Sequence, residues 1–375
     1  MKPVLAPAIV FLLLWGSLSA QRVPARPRIQ VAILLDVSNS MDGLIRQAKG
    51  QLWNMVQVLG RVECNHSAVP IEIALYEYGR DSNNPDSGYV RQISSFSKNL
   101  DSLFRGLYQL TTSGGEEYCG HAIYSSLTQL NWDTAASDYR VIFIAGNESF
   151  LQGSLHYKSA CDVAIKKGII VNTIYCGDKE NGIREYWDRG AACTNGSYSW
   201  IDKDAKEEII TTPYDNELFL LKAKLNNTYI AFGETGKQQR ANMVQSDTAA
   251  VTDMNDASKV IKYIVVKADT NLYNNASWDL IDAYAKNRNI IDKVNMKTLP
   301  DSLQSKNRKQ LKTLVEATAA QRIAIQQEIT ALGRKRDAYV VKEKEKKGVA
   351  APQTLETEIE KIIRQQISRF NMTVR

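Results

Sequence analysis

Three oxygen-bearing side chains, Asp36, Ser38 and Ser40, stand on alternate residues of a short polar stretch. Alternate residues of a tight turn can converge on one point, and a carboxylate with two hydroxyls is the hard oxygen set that Mg²⁺ or a similar divalent cation prefers. A single carboxylate leaves such an ion incompletely neutralised, so the ion could accept an acidic group from a protein partner. The same residues also allow an arrangement without metal, in which Asp36 caps the next helix and the serines bond its free amides.

The segments around this turn predict an α/β fold. The turn follows the apolar run 29–36, which is typical of a strand buried on both faces of a parallel sheet. Similar runs alternate with amphipathic stretches as far as residue 204. The predicted strands after the turn are 71–78, 89–93, 140–145, 168–176 and 197–201, and the predicted helices are 44–56, 119–130, 154–167 and 181–190. This alternation predicts a doubly wound, mostly parallel sheet, in which ligands bind outside the carboxyl ends of the strands.

The stretch D-V-S-N-S at 36–40 resembles the D-x-S-x-S signature of the von Willebrand factor type A family, and the resemblance covers about 29–204. It implies a Rossmann-like fold with a metal-ion-dependent adhesion site at the top of the sheet. The stretches G-G-E-E-Y-C-G-H-A-I at 114–123 and I-F-I-A-G-N-E-S-F at 142–150 resemble a bacterial exported subgroup of the family. That resemblance implies no assigned reaction.

Two positions of the site depart from the family pattern. Cys119 stands where the family has a Thr, and Gly146 stands where it has its second Asp. Nearby acids and amides could restore the oxygens, or the site is empty; these residues are Glu116, Glu117, Asn147 and Glu148. Cys119 as a ligand would favour a softer ion than Mg²⁺. Our candidate ligands for Mg²⁺ or another divalent cation are Asp36, Ser38, Ser40, Glu117, Cys119 and Glu148.

The amino terminus predicts export. Lys2 precedes the apolar run 3–15, and small residues lead to Ala20, which is the pattern of a signal peptide (1–20) cleaved before Gln21. We therefore expect a periplasmic or secreted protein. No later stretch reaches the roughly 18 apolar residues that a membrane-spanning helix needs. In an oxidising compartment some of the five cysteines can pair, and at least one is left over because their number is odd. The first pair we expect is Cys176 with Cys193.

Enzyme chemistry is not indicated. Cys119 and His121 are two residues apart on a predicted helix, so their side chains point in different directions and do not form a nucleophile–base pair. The stretch 233–238 is not a phosphate-binding loop, because Ala231 stands where the first Gly of that motif belongs and Gln238 stands where its Ser or Thr is needed. A hydrolase that uses Glu117 is a less favoured alternative, because no nucleophile–base pair supports it.

Positive charge is concentrated in the last fifth of the chain. The net charge is +6 overall but +7 in 301–375 alone, so nucleic-acid binding by the α/β domain is not indicated. The stretch 205–300 is interpreted as a helical linker region. Within 301–375 a heptad-like seam predicts a long helix; it comprises Leu311, Val315, Thr318, Arg322, Ile325, Ile329, Leu332, Arg336 and Tyr339.

Two interpretations of this seam remain open. One is a coiled-coil arm that forms a homo-oligomer and presents a basic face to an acidic partner or a membrane surface. The other is a helix packed on its own chain. In both, the heads of Arg322 and Arg336 are expected in solvent.

Taken together, these features predict an exported, non-enzymatic interaction protein whose partner offers an acidic group to the turn at 36–40. The alternative is an envelope scaffold with a degenerate metal site, which binds its partners through the C-terminal helices.

Overall fold

The computed structural model describes residues 26–202, 210–253, 257–347 and 355–374. The expected signal peptide (1–20), its cleavage point and the expected domain boundary at residue 204 lie outside these ranges. Fourteen α-helices and nine strands lie in the described residues. The strands are β1 Ile29–Asp36, β2 Val62–Cys64, β3 Ser67–Ala68, β4 Ile71–Tyr78, β5 Arg91–Ser97, β6 Tyr139–Gly146, β7 Ile170–Cys176, β8 Tyr198–Ile201 and β9 Thr373–Val374.

The helices are distributed along the whole described chain. They are α1 Asp42–Gly60, α2 Leu100–Tyr108, α3 Cys119–Gln129, α4 Tyr157–Lys167, α5 Lys179–Arg184, α6 Trp187–Ala192, α7 Asp215–Asn226, α8 Gly236–Asp253, α9 Ala257–Ala268, α10 Leu280–Lys286, α11 Ile290–Lys293, α12 Asp301–Gln304, α13 Arg308–Lys347 and α14 Leu355–Gln366. The first six accompany the sheet, and α7 to α13 form a helical region.

Six strands form the main sheet in the order β5-β4-β1-β6-β7-β8. All neighbours pair in parallel except β4 and β5. The expected doubly wound, mostly parallel sheet is therefore confirmed, as is the helical character of the region that follows. Strand β5 starts at Arg91 and not at Tyr89, because Gly88 and Tyr89 both have positive φ and belong to a turn. The chain leaves β1 in one direction across the sheet to form β4 and β5, and in the other to form β6, β7 and β8. In such sheets, ligands bind at the carboxyl ends of the two strands where the direction changes, which are β1 and β6 here.

The two faces of β1 enter different cores. Ile33 and Leu35 pack with Leu44 of α1, whereas Ala32 and Leu34 pack with helices α3 and α4. This double burial explains why the strand is apolar at nearly every position. It also fixes the end of the strand, and hence Asp36, at the carboxyl edge of the sheet.

The C-terminal segment 355–374 returns to this sheet. Helix α14 packs against α1, and β9 pairs with β2. The Gln366 side chain is fully buried, accepts a hydrogen bond from Tyr139 and exchanges hydrogen bonds with Asn172. The α/β unit is therefore completed by residues that follow the helical region in sequence.

Helix α13 packs along α7, α9 and α10 of its own chain. Seven of the nine expected seam positions are buried, and the other two, Thr318 and Tyr339, are half-buried. The expectation that Arg322 and Arg336 hold their heads in solvent was wrong. Arg322 is paired with Asp279 and Asp282, and Arg336 with Asp215, because the helices that cover the seam supply carboxylates. The seam thus serves intrachain packing.

The expected pairing of Cys176 with Cys193 was wrong, because Cys193 forms a disulfide with Cys161. Cys161 and Cys193 lie on the α3–α4 side of the sheet, whereas Cys176 lies in the core on the opposite side. The sheet therefore lies between Cys176 and Cys193, the two cysteines that were expected to pair. In the described residues, Cys64, Cys119 and Cys176 form no disulfide.

Candidate functional site

Asp36 ends β1 and is completely buried. Its Oδ1 accepts a hydrogen bond of 2.8 Å from the amide of Ser38, while Oδ2 has no hydrogen-bond partner among the described residues. The alternative in which these side chains cap the helix is not observed. The short 3-10 turn after Ser38 and helix α1 both begin without a side-chain cap. The hydroxyls of the turn are therefore available for other interactions.

Both serines point to the gap between β1 and β6. Their hydroxyl oxygens lie 3.4 Å apart, and Ser40 donates a hydrogen bond of 3.2 Å to Oδ1 of Asn147, which directly follows β6. The amide oxygen of Asn147 thus approaches the D-x-S-x-S turn at the point where the strand order reverses. This convergence is what the parallel topology predicts for residues at neighbouring strand ends.

Glu117 reaches the site from the loop before α3. It is buried, its amide donates to Oε1 of Gln152 at 3.1 Å, and the nearby Ser38 side chain opposes the rise in the pKa of its carboxyl. Glu148 is half-buried beside Glu117 and Asp36. The negative charge of Glu148 raises the pKa of both of these acids. Of the candidate acids, Glu117 and Glu148 are therefore both brought to Asp36.

Burial has the largest effect on the pKa values of Asp36 and Glu117. It raises the pKa of Asp36 to about 7, against the opposing effect of the Ser38 amide. Burial, followed by the charge of Glu148, raises the pKa of Glu117 to about 7. The ionisation of a buried carboxyl group is unfavourable without a partner charge and becomes favourable beside a cation. A cation bound at this site would therefore stabilise the ionised forms of Asp36 and Glu117.

Cys119 lies beneath the site and not in it. Its thiol is fully buried and donates to Oη of Tyr78 at 3.8 Å, and Tyr78 in turn donates to the carbonyl of Ala145 at 3.0 Å. Burial raises the pKa of this thiol well above its usual range. A protonated, enclosed thiol is a poor metal ligand, so we leave Cys119 out of the ligand set proposed below.

The donor set fits a hard divalent cation. Among the described residues no group of three His, Cys, Asp or Glu side chains is arranged as a metal site. An ion here would therefore be held by the free oxygen of Asp36, the two serine hydroxyls and a carboxylate from the flanking loops. Gly146 contributes no side-chain oxygen.

Sequence reasoning missed Tyr78 and Gln152. Tyr78 could have been found, because it ends β4, the parallel neighbour of β1, and so had to lie at the same edge. Gln152 carried no signal, since its contact with Glu117 depends on how two loops fold.

No protein-family model matches the sequence, and no curated protein matches it either. Among solved structures, the chain is similar to proximal thread matrix protein 1 from the mussel byssus with a zinc-occupied MIDAS motif (TM-score 0.36, 10% identity, 47% of this chain and 42% of that one). It is also similar to a von Willebrand factor type A protein from Catenulispora acidiphila (0.35, 14%, 47% and 38%) and to the pilus adhesin SpaC from Lactobacillus rhamnosus GG (0.35, 12%, 48% and 28%).

The chain thus spans less than half the length of these three proteins. In the part of the chain that the structure describes, no helix is both long and apolar enough to cross a membrane.

Proposed function

We propose that this protein is an exported, non-enzymatic binding module of the von Willebrand factor type A family, in the bacterial exported subgroup. Asp36, Ser38 and Ser40 would hold a divalent cation such as Mg²⁺ or Mn²⁺, with Glu117 or Glu148 as the additional acid. The bound cation would supply positive charge for an acidic group on a protein partner. The observation that carries this proposal is the buried, unpartnered Oδ2 of Asp36 at the turn that also carries the hydroxyls of Ser38 and Ser40.

Each part of the site has a defined task in this proposal. The cation would supply a positive charge that neutralises the buried acids, and it would accept an oxygen of the partner as a ligand. The Ser38 amide holds Oδ1 of Asp36, so Oδ2 is the oxygen that would be free to hold a cation. Ser40 is oriented by Asn147, which holds the hydroxyl at the gap between the strands.

The disulfide between Cys161 and Cys193 supports a periplasmic or secreted location, because such bonds persist in oxidising compartments. The resemblance of the 114–123 and 142–150 stretches supports the bacterial subgroup.

The test is calorimetric titration of the protein with Mn²⁺ and Mg²⁺. We expect one site, lost in Asp36→Ala and weakened at least roughly tenfold in Glu117→Gln. Glu116→Gln is the matched control, because Glu116 is the exposed neighbour of Glu117. Absence of binding heat and of any thermal stabilisation by either ion in the unmodified protein would overturn the metal-dependent proposal.

A second candidate is the scaffold role, in which the site is empty and the helical region binds the partner. Gly146 favours it, because the family's second acid is missing at this position. Partner binding that persists in Asp36→Ala and in chelator would favour the scaffold.

A further inference from the structure

A concentration of unpaired positive charge lies where α10, α11, α12 and the start of α13 meet. Residues 286–312 hold eight Lys or Arg and two Asp, a net charge of +6. We call 286–312 the basic segment. Its cations are Lys286, Arg288, Lys293, Lys297, Lys306, Arg308, Lys309 and Lys312.

These cations differ from the arginines deeper in the same helical region. All are exposed except the half-buried Lys306, and none forms an ion pair with a described residue. Arg322 and Arg336, in contrast, are neutralised by buried aspartates. The exposed charge of the basic segment is therefore available to an outside partner.

The basic segment is a folded surface and not a loose tail. Its apolar residues form a separate small core that includes Leu299, Leu303 and Leu311. Arg308 also donates a hydrogen bond of 2.6 Å to the carbonyl of Ile291, which ties the start of α13 to α11. The positive charges are thus carried by a backbone of fixed shape.

An apolar groove of about 590 Å³ adjoins this surface. It lies between α8 and Pro300 and is lined by Ala231, Lys237, Arg240, Ala241, Val244, Gln245 and Pro300. The amide of Gly233 donates a hydrogen bond of 3.0 Å to Oγ1 of Thr298, so the turn before α8 is fastened to the basic segment. Two further cations, Lys237 and Arg240, stand at the groove itself.

We propose that the basic segment and this groove form a docking surface for an anionic lipid bilayer. Lipid phosphates complement the unpaired cations, and each Lys or Arg near such a surface strengthens binding. The apolar groove, with the half-exposed Val244 at its wall, accepts the apolar part of a lipid. A single-stranded nucleic acid is less suited, because its bases stack on aromatic side chains and 286–312 contains none.

The test is co-sedimentation of the chain beginning at Gln21, which contains every described residue, with vesicles. The vesicles consist of phosphatidylcholine alone or of phosphatidylcholine with about one third phosphatidylglycerol. We expect binding only to the anionic vesicles, with an affinity that falls as salt rises. The variant K293E/K297E/K309E should bind at least roughly tenfold more weakly. The matched control K342E/K344E/K346E makes the same charge change at the far end of α13 and should bind nearly as the unmodified chain does.

The groove is tested by Val244→Asp against Leu220→Asp, since both residues are exposed apolar positions on helices but only Val244 lines the groove. The first should weaken vesicle binding and the second should not. Equal binding to both kinds of vesicle, or unchanged binding by K293E/K297E/K309E, would overturn the proposal. Binding to a single-stranded oligonucleotide without binding to anionic vesicles would overturn it in favour of a nucleic-acid partner. If a variant fails to fold, the unmodified chain still tests the proposal, because binding to anionic vesicles that does not fall as salt rises would contradict an electrostatic docking surface.

Discussion

The hydroxyl of Tyr78 occupies the space in which a side chain at Gly146 would begin. A Cβ at Gly146 would lie 2.4 Å from Oη of Tyr78 and 3.0 Å from Oδ2 of Asp36. Oη cannot easily move, because it donates to the carbonyl of Ala145 and accepts from Cys119. The buried hydroxyl of Tyr78 therefore leaves no room for a side chain at position 146.

The first prediction concerns this pair. Gly146→Ala should destabilise the protein by about 1–3 kcal/mol, because it overpacks a core position. Tyr78→Phe alone should cost about 1 kcal/mol for the lost hydrogen bond to Ala145. The double variant should be less destabilised than the sum of the two. Urea denaturation of all four proteins measures the coupling, and strict additivity would show that the two positions do not compete for space.

The alternation of strands and helices along the chain and the position of the D-x-S-x-S turn could be predicted because they follow from apolar patterning. Strand β1 is apolar on both faces, and its end at Asp36 is fixed by that burial. The contact of Tyr78 with Gly146 depends on side-chain volume across two strands, which no periodicity encodes. The three-stranded sheet of β2, β3 and β9 was missed for a related reason. Its strands are two or three residues long and join segments about 300 residues apart.

The second prediction is a pH dependence of cation binding. Asp36 and Glu117 have pKa values raised to about 7, so below that pH protons compete with the cation. Mn²⁺ affinity should therefore fall at least roughly tenfold between about pH 8 and pH 6. Titration calorimetry at the two pH values measures this change, and an affinity that is equal at both would contradict it.

The same acids affect stability without cation. Their folded-state pKa values lie above the unfolded ones, so the stability they contribute is fully present at low pH and is lost as the pH rises through about 7. Mn²⁺ should restore it at high pH. Asp36→Asn should reduce both the pH effect and the effect of Mn²⁺ on the melting temperature.

The third prediction concerns the disulfide. Replacing Cys161 and Cys193 by Ser should lower the free energy of unfolding by about 2–4 kcal/mol, since the bond closes a loop between residues 32 positions apart. Cys64→Ser is the control, because Cys64 is a half-buried free thiol, and it should change stability little. Peptide mapping without reductant should recover the fragments of Cys161 and Cys193 joined, and a joined fragment of Cys176 would refute the pairing.

The fourth prediction concerns the buried ion pairs of α13. Arg322 binds Asp279 and Asp282, and its guanidinium also lies 4.2 Å from the centre of the Tyr229 ring. Arg322→Met should destabilise the protein by about 3–5 kcal/mol, because Asp279 is then left buried without its cation. The matched control is Arg334→Met, an exposed position on the same helix, with an expected change within about 0.5 kcal/mol.

Adding Asp279→Asn to the Arg322 variant should recover part of the loss, because the uncompensated charge is removed. Urea denaturation of the three variants provides the comparison. Similar stabilities for the Arg322 and Arg334 variants would mean that the ion pairs of Arg322 add no net stability to the packing of α13.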